Sequence, residues 1–207
     1  MFLSLHRLVR LAPLVAFLCL GLAGCGGIPF STQMKLRNFD PLTFDAAMPR
    51  LAIFTPGYLR LLPGSAKITM TDAGQPGVRP ERTEVFVLQE VRDSVPAELA
   101  AVRGEGERIA SLRLAPSDLP RVRALQAEYA ARKQAGAGSN KVDVKADVAA
   151  CRIGDLPFGT ITGSVYIKID ETTEYLPLMQ AVNVRDLAKS AGTRLEDEVK
   201  PCPATMK

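Results

Sequence analysis

Residues able to do chemistry are few in this chain, and their spacing does not favour catalysis. The single histidine is His6, so everything beyond it lacks the usual neutral-pH proton shuttle and the commonest metal ligand. Carboxylates are the remaining acid–base groups. Asp143 and Asp147 fall on one side of the alternating segment KVDVKADVAA, with Lys145 between them. Two carboxylates run acid–base chemistry when their surroundings split their pKa values, and a solvated strand face leaves both ionised. Asp170, Glu171 and Glu174 form a second acidic group, suited to weak cation attraction and explained more simply by a wet turn. Arg103, Arg108, Arg113, Arg121 and Arg123 make a basic run. It would meet lipid phosphates or an acidic envelope polymer, though a charged surface is the plainer reading. AGAGSN carries the glycines of a phosphate loop without its lysine and hydroxyl pair, and reads as a link. Dinucleotide, zinc, calcium and nucleophile-elbow motifs are missing. The expectation is a protein that is not an enzyme, with no catalytic residue, no metal and no cofactor.

Cysteine carries the clearest signal. The chain opens with Arg7 and Arg10, continues with an apolar run from Leu11 to Leu22, and reaches small residues at Ala23 and Gly24. This is the layout of a secretory leader. The run is short of the roughly 20 residues that span a bilayer core. The four residues Leu22, Ala23, Gly24 and Cys25 resemble the lipobox of bacterial lipoproteins. The resemblance covers residues 1–25 and implies that residues 1–24 are cut away. It implies that the Cys25 thiol takes a diacylglycerol and that the new amino end is acylated as well. One acyl chain holds a protein to a membrane only marginally, whereas two or more hold it firmly. Gly26 stands where an aspartate tends to retain Gram-negative lipoproteins in the inner membrane. The resemblance therefore implies the periplasmic face of the outer membrane, with the inner membrane as alternative.

Without its leader the chain of 207 residues keeps 183, enough for one domain with a real core. Arg7 and Arg10 leave with the leader, so 24 of the 26 basic residues remain against 22 acidic ones. That near balance, with the two signs interspersed, argues against nucleic acid as a partner. Tryptophan is absent, which weakens a sugar-stacking role. Cys19 leaves with the leader and Cys25 is assigned to lipid. Cys151 and Cys202 remain as a pair in an oxidising compartment, and the expectation is a disulfide between them. With no histidine to activate it, neither is expected to be a nucleophile.

The body must position whatever binds. Residues 25–33 read as the lipidated amino end and a linker, and 34–207 as a single β-rich periplasmic domain. MKLRNF is expected to be a first strand, with Met34 and Leu36 on one side. Leu51–Phe54 is a dense apolar strand, and Ile68 and Met70 alternate with polar neighbours. Val85, Phe86, Val87 and Leu88 run together, as in a strand covered on both faces. Ala110, Leu112 and Leu114 alternate with Ser111 and Arg113. The period then changes. A helix is expected over about 117–134, capped by Ser117, with Val122, Leu125 and Tyr129 inward and Gly136 as its stop. It should pack on the sheet. Val142, Val144, Ala146 and Val148 are expected to point to one buried face. Asn183 is placed to cap a short helix with Val184 and Leu187 inward, ending near Gly192.

The fold expected from this tally is mainly β. It is a β-sandwich, immunoglobulin-like or related, with a helical insertion, and the alternative is an α+β fold with an antiparallel sheet. YLPLMQAVNVRDL is oilier than a short cover needs. Tyr175, Leu176, Leu178 and Met179 are the candidate contact site for a partner or lipid, against the stronger expectation of core packing. The functional expectation is a membrane-tethered envelope lipoprotein that binds a protein partner or contributes to envelope assembly. The alternative is a carrier for a lipid or other apolar ligand.

Overall fold

A computed structural model describes residues 28–37, 39–40, 43–75, 77–91, 95–136 and 142–206. Its frame is a seven-stranded antiparallel sheet. In chain order the strands are β1 (Arg50–Pro56), β3 (Lys67–Asp72), β4 (Arg82–Val91), β5 (Glu107–Leu114), β6 (Val142–Asp147), β8 (Thr162–Lys168) and β9 (Leu176–Asn183). Their order across the sheet is β6-β3-β4-β5-β1-β8-β9. Two short strands, β2 (Leu59–Leu61) and β7 (Ala150–Arg152), pair as a second small sheet. The fold is mainly β, as its composition of alternating segments requires.

Strand β1 sits inside the sheet because its apolar run can use both faces. Ala52 and Phe54 are fully buried on one side, packed with Leu99, Ile109, Tyr166 and Tyr175. Leu99 belongs to a short helix, α2 (Ala97–Val102), that the periodicity did not signal. Leu51 and Ile53 face the other side and join Leu61, Ala66, Leu88 and Leu112. The Phe54 and Tyr166 rings meet at a tilt of 52° with centroids 5.0 Å apart, adding a side-chain contact to the β1–β8 ladder.

The turn from β1 to β2 depends on Gly57. A Cβ there would stand 2.7 Å from the carbonyl oxygen of Gly106. Backbone rather than a movable side chain sets that limit. Gly57→Ala is expected to cost roughly 1–3 kcal/mol, as overpacking does, read as a lower denaturant midpoint at unchanged slope.

Helix α3 (Leu119–Gln134) lies on the sheet as expected. Val122, Leu125 and Tyr129 pack against Met70, Phe86, Leu114 and Val142. Its start differs in detail. Asp118, not Ser117, is the N-cap residue, and its carboxylate leaves the helix to accept from the Val87 amide at 2.8 Å. The side chain thus ties helix to strand, a contact that long-range packing alone could decide. Gly136 takes φ +66° and ends the helix as expected.

Several local expectations give way to tertiary context. MKLRNF is not a strand: α1 (Phe30–Leu36) is a helix that takes up part of the expected linker. Strand β4 is not covered on both faces, since Phe86 and Leu88 are buried while Val85 is exposed. Strand β6 is an edge, and Val144 and Val148 are exposed, so its alternation does not mark a buried face. Only Val142 reaches the cluster under α3. Helix α4 (Val184–Ser190) forms where Asn183 accepts from the Arg185 amide at 3.2 Å. Val184 and Ala188 pack inward, whereas Leu187 is exposed.

Candidate functional site

The sequence candidates scatter over the fold instead of converging. Asp143 and Asp147 lie on the exposed edge strand β6, and the Asp143 carboxylate stands 3.9 Å from the Lys145 ammonium. Asp170 shapes the turn between β8 and β9. Its Oδ1 accepts from the Thr172 amide and hydroxyl at 2.8 Å and from the Thr173 amide at 2.9 Å. Those bonds hold its carboxyl below the ordinary value, the Thr172 hydroxyl first among them. Among the described residues no three metal-ligating side chains gather. Arg121 and Arg123, from the basic run, pair with Glu84 at 2.5 Å and with Asp45 at 3.3 Å. Cys25 lies outside the described residues.

The most deeply buried carboxylate among the described residues is one the sequence did not mark. Asp72, at the end of β3, is 2% exposed. It accepts from Arg79 at 2.6 and 2.9 Å, from Arg132 at 3.1 Å, from the Tyr129 hydroxyl at 3.0 Å and from the Gly74 amide at 3.0 Å. The Arg79 bonds above all, then the Gly74 amide and the Tyr129 hydroxyl, hold its carboxyl far below the usual range. Such an acid is ionised at neutral pH. It has no proton to give and no lone pair free for a substrate, so it is a brace between β3, the β3–β4 loop and α3.

Of the proposed contact residues, Leu176 is buried and offers no surface to a partner. Tyr175 packs on the Ala52–Phe54 cluster, with the Lys168 ammonium 6.0 Å from its ring centroid. Leu178 and Met179 are half-buried on β9. Core packing, the stronger expectation for this stretch, accounts for Tyr175 and Leu176.

A better candidate is the loop 153–160, IGDLPFGT, between β7 and β8. Its root is tied three times. The Ile153 amide donates to the Tyr58 carbonyl at 2.8 Å. Arg152 exchanges backbone bonds with the tail, receiving from Cys202 and donating to Lys200, both at 2.9 Å. Cys151 and Cys202, with Cα atoms 4.8 Å apart, are joined as a disulfide. The tip is clamped by one side chain. Arg185 donates through Nε to the Gly159 carbonyl at 2.8 Å and through Nη2 to the Pro157 carbonyl at 2.7 Å. Its third nitrogen pairs with Glu196 of α5 (Leu195–Glu198). The planar guanidinium offers all three bonds from one rigid group, which lysine cannot do.

Within this brace the loop divides its apolar residues. Leu156 turns in to pack with Leu59, Ile161, Leu195 and Val199. Phe158 turns out and is fully exposed, at 105% of its reference area. Gly159 takes φ +91°, a conformation that L side chains rarely adopt. Beside it Arg152, Asp155, Leu156, Arg185 and Glu196 line an open hollow of about 410 Å³. Burying a phenylalanine is worth about 1.5–3 kcal/mol, a gain that folding forgoes at Phe158 and that contact with a partner would realise. The disposition suits contact with another surface. Proline and glycine around Phe158 were the signal available in the sequence. Arg185 and Glu196 carried none, because their role depends on where α4 and α5 land.

Comparison of the chain with protein-family models, with curated proteins and with solved structures finds no match.

Proposed function

We propose that the chain is a membrane-tethered envelope lipoprotein whose β-rich body binds a protein partner and performs no catalysis. The observation that carries the reading is Phe158, held fully exposed on a loop clamped by Arg185 and rooted at the Cys151–Cys202 bond. A rigid aromatic side chain enters a partner's pocket with little ordering entropy left to lose, which is how binding anchors act. The lipobox-like residues Leu22–Cys25 support the tether, and Gly26 supports the outer membrane's periplasmic face as its address. An oxidised Cys151–Cys202 pair belongs to the same compartment.

Phe158→Ala is expected to leave the denaturant midpoint unchanged within about 0.5 kcal/mol, because the ring packs on nothing. A photo-crosslinking residue at position 158 in native membranes is expected to yield one discrete protein adduct. The same probe at exposed Val144, on β6, should yield none. Equal diffuse labelling from both positions overturns the contact. An intact mass without acyl groups, with the protein in the soluble fraction, overturns the tether.

A further inference from the structure

Helix α1 is built inside out for a helix lying on a protein. At 100° per residue Phe30, Met34 and Arg37 share one side, and Thr32 and Leu36 share the opposite one. The small polar residue is the buried one. Thr32 is 1% exposed, and its hydroxyl donates to the Pro177 carbonyl of β9 at 2.7 Å. The large apolar residues face out, with Ile28 at 42%, Phe30 at 74% and Met34 at 47% exposure. Lys35 and Arg37, both exposed, border this surface. Lys35 lines a shallow hollow with Asp40, Asp45 and Asp170, of which Asp45 also pairs with Arg123 at 3.3 Å and Asp40 with Lys133 at 4.0 Å. An apolar stripe edged by cations is the signature of a helix lying in a lipid interface.

Chain length says what covers it. Three peptide steps separate Cys25 from Ile28, so their Cα atoms stand at most about 11 Å apart. With the Cys25 acyl chains in a bilayer, Ile28 and the start of α1 stay within about 11 Å of the point where the chain leaves the lipid, close enough to lie on its surface. We propose that Ile28, Phe30 and Met34 form a second lipid contact, laid into the bilayer surface beside the Cys25 anchor, which fixes the body's orientation on the membrane. The inference rests on the lipoprotein reading above.

The orientation follows from strand register. Helix α1 touches β9 at Pro177, near the end where Leu176 pairs with Ile167. The Phe158 loop leads into the other end, where Thr162 pairs with Asn183. The seven steps of β9 from Leu176 to Asn183 span at most about 23 Å at strand rise, less where the β8–β9 pairing is bulged and Ala181 takes φ +48°. With the α1 end on the lipid, the Phe158 loop stands away from it, open to a partner in the aqueous space. A lipid tether alone lets the body tumble. A second contact beside it turns the tether into a mount.

The chain has no tryptophan, so one introduced indole reports its own surroundings. The full-length acylated protein carrying Phe30→Trp or, separately, Phe158→Trp is placed in phosphatidylethanolamine–phosphatidylglycerol vesicles with bromine on the lipid chains. Both sites are exposed, so folding is not at stake, and Met34→Trp repeats the first measurement independently. The expected result is blue-shifted emission and several-fold quenching at positions 30 and 34, with water-like emission and no quenching at position 158. Water-like, unquenched emission at 30 and 34 in protein that is acylated and sediments with the vesicles overturns the second contact and leaves the anchor standing. Blue-shifted but unquenched emission there means a protein covers the helix, which also overturns it. Quenching at all three positions overturns the fixed orientation. Protein that carries no acyl mass and does not sediment shows instead that the lipoprotein reading has failed.

Discussion

Replacing both Cys151 and Cys202 with serine is expected to lower the unfolding free energy by about 4 kcal/mol, the chain-entropy value for a loop of this size. The bond closes 51 residues, from the root of the Phe158 loop to the carboxyl-terminal tail. At roughly 2–4 °C per kcal/mol for a chain this long, the melting midpoint should fall by about 8–16 °C. Urea unfolding of the oxidised protein and of the double variant checks it. A difference under about 1 kcal/mol would mean that backbone bonds and packing already hold the tail. Local consequences should exceed global ones. Leu195 and Val199 pack under the loop, and Arg185 reaches its tip from α4 while paired to Glu196 of α5. Freeing the tail loosens that floor, so hydrogen exchange should rise first at the Ile153 and Arg152 amides, ahead of β1 and β5.

Asp72→Ala is expected to cost about 3–5 kcal/mol, the range for breaking a buried ion pair on one side. Arg79 and Arg132, only 24% and 20% exposed, would keep their charge without the shared carboxylate. The Tyr129 hydroxyl would lose its acceptor as well. Asp72→Asn keeps the shape and should cost less. Acid supplies the same test without mutation. The folded-state carboxyl is held far below its unfolded value of about 3.9, chiefly by Arg79. Its contribution is therefore complete above that value and is lost progressively as pH falls below about 4. Glu84, held low by Arg82 and Arg121, adds to the same slope. The stability gap between the native protein and Asp72→Asn should be widest above about pH 5 and should narrow in stronger acid. A gap that stayed constant down to low pH would show that Asp72 works through packing and not through charge.

Both results concern features with different visibility in the sequence. The cysteine pair was legible by elimination, since two thiols remained once Cys25 was assigned to lipid. Asp72 was not legible. It sits in the turn-rich stretch TDAGQPGVRP and resembles any loop acid. Its partners at positions 79, 129 and 132 come together only when α3 docks across β3. The same holds for Asp118, an ordinary cap residue by sequence and a sheet contact by structure.

Periodicity was reliable where burial follows from one element alone. Val122, Leu125 and Tyr129 share a helix face and are all in the cluster beneath α3. Alternation failed on β6, because a half-apolar strand is buried only if something covers it, and α3 reaches no farther than Val142. Met34 and Leu36 suggested a strand, yet the chain between Pro29 and Arg37 is helical, with Thr32 bonded to β9. Short segments carry too few residues for their period to outweigh tertiary contacts.

By itself, the sequence determined the mainly β class, the helix inserted between strands, the lack of a histidine-based site beyond residue 6 and the residues of the lipobox-like leader. These depend on residue type and local spacing, which need no partner elsewhere in the chain. Only the tertiary structure decided which apolar residues stay in water. Phe158 and Phe30 are exposed, while Phe54 and Phe86 are among the most deeply buried side chains. Phe54 and Phe86 lie in continuous apolar runs while Phe30 and Phe158 each follow a proline, a local difference that hints at their fates without fixing them. Burial is a property of what packs on a side chain from distant parts of the chain, and that is settled only when the whole fold closes.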